Sequence, residues 1–223
     1  MINNIDIAQI ASMIKSGAYN LANNREKVDA LNVFPVPDGD TGTNMSMTFI
    51  NAARALENNE FDNPGDALAS VARATLRGAR GNSGVILSQI FRGISKEITT
   101  GATIDTKLLT LAIRSGSNTA YNAVMKPTEG TILTVIRSLA EAGENCNETD
   151  VLRFFEYIVE KGNEALSSTT DMLVQLKNAN VVDAGGQGLM YIFEGFLSAL
   201  QGTEILPEKQ ETAQRSESAQ STV

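Results

Sequence analysis

The chain has 223 residues, 42% hydrophobic and 20% charged, with a formal net charge of −8. That length and composition suit one soluble globular domain, or at most two small ones, and give no overall field for nucleic acid. Histidine is absent, which removes Ser-His-Asp and Cys-His catalysis, histidine-ligated zinc and a histidine base.

Cys146 is the only cysteine, so an intrachain disulfide is impossible and a cytoplasmic setting is the expectation. With Trp absent and aromatics at 5%, the core is expected to consist of Leu, Ile, Val, Ala and Met, in helices rather than a sandwich. Ile7, Ile10, Ile14, Ala18 and Leu21 recur at helical spacing, which predicts a first helix from about Asp6 to about Asn23, with an extension toward Leu31. The stretch from Met1 to Lys15 is amphipathic, so neither a signal peptide nor a membrane span is expected there.

The next stretch organises the chain: Asn32-Val33-Phe34-Pro35-Val36-Pro37-Asp38-Gly39-Asp40-Thr41-Gly42-Thr43-Asn44-Met45. Pro35 and Pro37 stiffen an extended lead-in, and Gly39 and Gly42 permit tight turns. Asp38 and Asp40 are thereby held close on a short loop, where a hard divalent cation would relieve their mutual repulsion. The plain alternative is a solvated Asp-Gly turn. A helix predicted from about Gly42 through Leu56 would point its free N–H groups back at this loop.

Asn63-Pro64-Gly65-Asp66 reads as a turn and cap before a short helix from Ala67 to about Leu76. Arg77-Gly78-Ala79-Arg80-Gly81-Asn82-Ser83-Gly84 follows, a glycine-rich segment opening a helix through Val85 to Phe91. Such a segment lets backbone N–H groups approach an anion, although an ordinary helix connection has the same look. Thr103-Ile104-Asp105 reads as the cap of a helix reaching about Met125, which Lys126-Pro127-Thr128-Glu129-Gly130-Thr131 interrupts before Ile132 to Ala142 resumes. Thr149 or Asp150 caps the helix through Leu166, and Asp171 to Lys177 is helical by composition. Val181-Val182-Asp183-Ala184-Gly185-Gly186-Gln187-Gly188 reads as a third glycine-rich turn before a last helix from Leu189 to Leu200. From Thr203 to Val223 the composition is that of a polar linker, which sets the expected domain at 1–202 and the tail at 203–223.

About eight helices and no convincing strand define an all-α chain. In an up-and-down array, alternate junctions lie at one end. Gathering the four polar, glycine-bearing junctions there would suit a nucleotide with metal: Asp38 and Asp40 on Mg²⁺, the 81–84 amides on phosphate. The common cradles are excluded, since no Gly-x-x-x-x-Gly-Lys-Ser/Thr and no kinase glycine-rich loop occurs. An EF-hand fails because Gly42 and Phe49 stand where its fifth and twelfth ligands belong. A phosphatase of the Asp-x-Asp type is disfavoured by Gly42 and by two prolines where a buried strand should run.

At these four motifs, in this order, the chain closely resembles the ATP-binding N-terminal domain of bacterial fatty acid kinase, and more distantly the L subunit of dihydroxyacetone kinase. The resemblance covers about residues 1 to 201. It implies an antiparallel eight-helix barrel that binds ATP or ADP with two Mg²⁺ in the loops at one end. Asp38 and Asp40 match metal-holding, catalytic carboxylates, and Asn32 stands where the L subunits carry a third Asp. Gly81, Asn82, Ser83 and Gly84 fall at the phosphate subsite, Thr131 and Ile132 beside the base, Asp183 and Gly185 in the last nucleotide loop, and Thr43 and Asn44 among the nucleotide-binding residues. The implied reaction is phosphoryl transfer to a fatty acid carboxylate presented by a separate fatty-acid-binding protein. Alternatives are a dihydroxyacetone-type kinase subunit and a non-catalytic Mg-nucleotide-binding scaffold. Full-length fatty acid kinases continue into further domains, which would carry any homodimer contact, so this chain alone is expected to bind nucleotide without completing the transfer.

Overall fold

Side-chain caps start most of the helices. Asp6 and Gln9 form a reciprocal capping box, and Asn63, Asp105, Thr131, Asp150 and Asp183 each accept a first-turn N–H. In this computed structural model, which describes residues 1–99 and 101–208, ten helices result. They are α1 (Ile7–Asn23), α2 (Arg25–Ala30), α3 (Thr41–Glu57), α4 (Pro64–Arg77), α5 (Gly81–Glu97), α6 (Thr106–Ala123), α7 (Ile132–Asn145), α8 (Val151–Met172), α9 (Val174–Ala179) and α10 (Ala184–Leu200). Eight are long, while α2 and α9 have six residues each. The only β pairing among the described residues is an isolated Ile5–Ile104 bridge, so the all-α expectation holds.

Successive long helices pack against one another, and α10 returns onto α1 and α8, closing the array into a ring. The seam is tight. A Cβ on Gly195 would lie 2.5 Å from the Gly17 Cα, so α1 and α10 cross backbone to backbone. Leu, Ile, Val, Ala and Met make up most of the core, as expected, but its centre is aromatic. Phe49 and Phe91 pack at 4.6 Å between centroids with their rings tilted by 41°, and Phe196 meets Phe91 edge-on at 6.3 Å. Phe193, Phe155 and Phe154 extend the cluster. Few aromatics suffice because each buries about 150–250 Å².

Several boundaries differ from the sequence expectation. The chain breaks at Asn24, so residues 25–30 form α2 and do not extend α1. The helix α8 runs on to Met172 and breaks at Leu173, where Asp171 to Lys177 had been expected as one piece. Both glycine-rich segments are more helical than expected: Gly81–Gly84 is the first turn of α5, and Gly185–Gly188 that of α10. Glycine is a poor helix former in isolation, but close packing selects it here. A Cβ on Gly186 would meet Val135 at 2.9 Å, and one on Gly188 would meet Met45 at 2.8 Å.

Past Gly202 the described chain does not leave the domain at once. Ile205 N–H donates to Ser16 Oγ at 3.1 Å, Asn23 Nδ2 donates to Leu206 O at 2.9 Å, and Glu208 N–H donates to Asn23 Oδ1 at 3.0 Å. Residues 203–208 thus run back along α1, and the rest of the expected tail, 209–223, lies outside the described residues. No helix is long and apolar enough to cross a membrane among the residues described.

Candidate functional site

The four polar junctions lie at one end of the ring. The opposite end is marked by the chain entry, where Ile5 N–H donates to Ile104 O at 2.9 Å and Val151 N–H donates to Ile2 O at 2.7 Å. At the site end the first two junctions touch. Arg80 N–H donates to Thr48 Oγ1 at 3.1 Å, one turn along α3 from Asn44. Gly81, at φ +60°, leaves room for the Asn44 amide 2.5 Å from where its Cβ would be, and Gly84 leaves the same room for the Thr48 hydroxyl. A side chain at either glycine would push α5 off α3.

The other two junctions also touch. Gly130, at φ +81°, is pressed against Met172 and Leu173 at the α8–α9 break. The Asp183 carboxylate is buried and accepts Gly186 N–H at 2.7 Å, with the Ile132 and Gly185 amides close enough to favour its charge. It therefore ties the start of α10 to the start of α7. The two pairs meet through Gly188, which abuts Met45 and Leu21.

Asp38 and Asp40 are exposed on the first loop, while Asn32 is buried and donates its Nδ2 to Asp38 Oδ1 at 2.7 Å. Gly39 takes φ +68° between the two carboxylates with open space around it. The Thr43 N–H and hydroxyl donate to Asp29 at 2.9 and 2.7 Å. Asn82 is exposed and Ser83 half-buried on the first turn of α5. Thr131 caps α7, donating to Thr128 O at 2.7 Å, and Ile132 is buried. Among the long helices, only α3 and α5 lack a cap from their own N-cap side chain. Apart from the Thr43 amide, which Asp29 takes, their first-turn N–H groups open at the junction shared by Asp38, Asp40 and Ser83.

No group of three or more His, Cys, Asp or Glu is gathered to hold a metal among the described residues. The donor set at the first loop is two carboxylates with one amide behind them. All are hard oxygen donors, the chemistry that suits Mg²⁺ completed by water and phosphate.

Two carboxylates escaped the sequence reading. Asp29 sits on α2, remote in sequence from the Thr43 it binds, and nothing in the local pattern marks that pairing. Glu129 lay inside a quoted motif without a role. Its Oε1 accepts Tyr121 OH at 2.9 Å, and its Oε2 accepts Thr134 Oγ1 at 2.5 Å and Arg137 NH2 at 2.8 Å. Thr134 Oγ1 in turn accepts Gly130 N–H at 2.8 Å, which pins the turn ahead of Thr131. The helical spacing of Thr134 and Arg137 was the available signal.

Burial pushes the Asp183 carboxyl up from 3.8 to about 6, against the three amides that favour its charge. A raised folded-state value means that ionising the group costs stability as pH rises from about 4 to about 6, by up to ~3 kcal/mol once both states are charged. Asp183→Asn keeps an acceptor for Gly186 and removes that charge. Denaturant melts should show it gaining stability over wild type at pH 7.5, and the gain vanishing near pH 4. A gain independent of pH would contradict the assignment.

Residues 35–198 match the family described as the DAK2 domain. An uncharacterised protein of Staphylococcus aureus strain USA300 is 50% identical over 207 residues, covering 92% of this chain and 38% of that protein. One from strain N315 shows the same identity and coverage. The chain thus spans about two-fifths of the length of these relatives. The fold is that found in the dihydroxyacetone kinase of C. freundii. The form in complex with AMP-PNP and Mg²⁺ aligns with a TM-score of 0.65 at 17% identity, over 89% of this chain and 35% of that one. The native form aligns at 0.60 and 20%, over 89% and 36%.

Proposed function

The chain belongs to the DAK2 domain family, and from that premise we propose that it is the Mg-ATP-binding domain of a fatty acid kinase. It would transfer the γ-phosphoryl group of ATP to a fatty acid carboxylate held by a separate acyl-binding protein. The observation that carries the nucleotide reading is the meeting of four glycine-bearing junctions at one end of the ring, with two helix starts that their own N-cap side chains leave uncapped beside two exposed carboxylates. The C. freundii kinase that shares the fold was crystallised with AMP-PNP and Mg²⁺, which supports the same ligand class here. The acyl acceptor is supported by the resemblance of all four motifs to fatty acid kinase.

Asp38 and Asp40, with Asn32 behind them, would hold the magnesium. When bound, the metal neutralises charge on the β- and γ-phosphates. The amides of Gly81, Asn82 and Ser83, with Asn44 opposite, would receive phosphate oxygens, while Thr43, whose N–H and hydroxyl Asp29 takes, and Gly84, whose N–H donates to Arg80 O, would stand behind them. Thr131, Ile132, Asp183 and Gly185 would wall the base and sugar. A carboxylate acceptor is ionised at neutral pH and needs no base, which fits a chain without histidine. Its oxygen bonds to the γ-phosphorus as the bond to the bridging oxygen breaks, giving acyl phosphate and ADP. Such transfer asks the protein for positioning and charge stabilisation, which carboxylates and amides supply.

Calorimetry on the chain should show ADP or ATP binding with Mg²⁺ and its loss in EDTA; equal affinity in both would remove the metal-bridged site. Acyl phosphate formation is assayed with the longer protein and a fatty-acid-loaded partner. Because the fold match is to a dihydroxyacetone kinase, dihydroxyacetone is the competing acceptor. Phosphorylation of that ketone, with none of a fatty acid, would favour the second reading. Binding with no transfer to either would leave a nucleotide-binding scaffold.

A further inference from the structure

A third carboxylate, Asp29, stands upstream of Asp38 and Asp40 on α2, and its place in the chain invites a ligand role. Both its oxygens are turned elsewhere. Oδ1 accepts the Thr43 N–H at 2.9 Å and Oδ2 accepts the Thr43 hydroxyl at 2.7 Å. We infer that Asp29 is a positioning residue that clamps the base of the acidic loop and holds Asp38 and Asp40 ready for a divalent cation. This inference rests on the metal-nucleotide reading above.

The loop joining α2 to α3 carries both exposed carboxylates and has few other ties. Asn32 Nδ2 donates to Asp38 at 2.7 Å and Asp38 N–H donates to Val36 O at 3.0 Å, both inside the loop. The ends meet where Gly42 fits against the Arg25 carbonyl and Val28, and where Asp29 grips Thr43. Asp40 gives α3 no side-chain cap, so Asp29 satisfies a first-turn amide that would otherwise be orphaned. A carboxylate taking both an amide and a hydroxyl from one residue fixes the orientation of the helix start as well as its distance. Without that clamp, the mutual repulsion of Asp38 and Asp40 spreads the loop, and a binding cation must first reorder it. Groups that orient ligands in this way typically govern metal affinity by about 10–100-fold.

Replacement separates a clamp from a ligand. In Asp29→Asn the amide oxygen can accept the Thr43 N–H while the amide NH₂ donates to the Thr43 hydroxyl, so both bonds survive without the charge. Mn²⁺ binding to the chain in the presence of ADP, read by electron paramagnetic resonance, is the probe. Asp29→Ala should weaken Mn²⁺ by about tenfold or more. Asp29→Asn should stay within about threefold of wild type, the range of one altered hydrogen bond. Thr43→Val should add nothing further to Asp29→Ala, because the two act through one contact. Asn as damaging as Ala would make Asp29 a ligand and overturn the inference. So would wild-type Mn²⁺ affinity in Asp29→Ala, even with a lowered melting temperature, or additive losses in the double variant. A wild-type chain that binds no Mn²⁺ with ADP would instead remove the proposed function, and this inference with it.

Discussion

Asp38→Asn is expected to reduce the proposed phosphoryl transfer by at least about 100-fold, or ~2.7 kcal/mol of transition-state stabilisation. The helical content and melting temperature should not change. Asp38 is exposed on a loop, and its side-chain partner is the Asn32 amide at 2.7 Å. Asn keeps an oxygen for that contact, so the fold loses little. What it removes is a formal charge from the donor set, and two carboxylates supply nearly all the negative charge that a cation would meet there. Asp40→Asn should behave in the same way, since no structural bond depends on its side chain. The assay is acyl phosphate formation against Mg²⁺ concentration, with circular dichroism as the control. Near wild-type turnover in Asp38→Asn would show that the carboxylate is no ligand.

Gly195→Leu should have the largest effect on stability. A Cβ at this position would sit 2.5 Å from the Gly17 Cα, 2.6 Å from its N and 2.7 Å from the Ser16 carbonyl carbon. All three are backbone atoms and cannot rotate away. On an open helix, replacing glycine would favour the helix by roughly 0.5–1 kcal/mol. At the seam that gain is overwhelmed: α1 and α10 must separate, which opens the Phe196 packing beside them. Overpacking of this kind costs about 3 kcal/mol or more, a shift of about 6–12 °C in a domain this size. Gly143→Ala is the comparison, because its Cβ would stand 3.2 Å from the Thr110 hydroxyl, a side-chain atom that can turn aside. Its melting temperature should move far less. Equal shifts in the two variants would mean that the α1–α10 crossing has slack.

The all-α class, the eight long helices and the grouping of four special junctions were legible in the chain alone. Apolar periodicity reports which face of a helix is buried, and local cap signals marked the starts at Asp6, within 103–105 and at 149–150, whereas α4 is capped by Asn63 and begins at Pro64, three residues before the expected Ala67. Up-and-down order followed from short connections, and with it the placing of alternate junctions at one end. These features depend on residues a few positions apart, so a sequence can display them.

What only the tertiary structure decided depends on residues far apart. Gly81–Gly84 and Gly185–Gly188 looked like turns because glycine disfavours helix, yet both are first turns of helices whose neighbours approach too closely for a Cβ. The central phenylalanines were discounted as few, although converging from α3, α5, α8 and α10 they form the middle of the core. Asp29 and Thr43, fourteen residues apart, are joined by a bend at Asn24 and a proline-stiffened loop that no periodicity encodes. Asp183 acquires its altered titration only when α7, α8 and α10 close over it, because desolvation belongs to the packed site and not to the residue. Composition and spacing determined the kind of helices and the chemistry available at their ends; the packing of backbone against backbone decided which of those groups face one another.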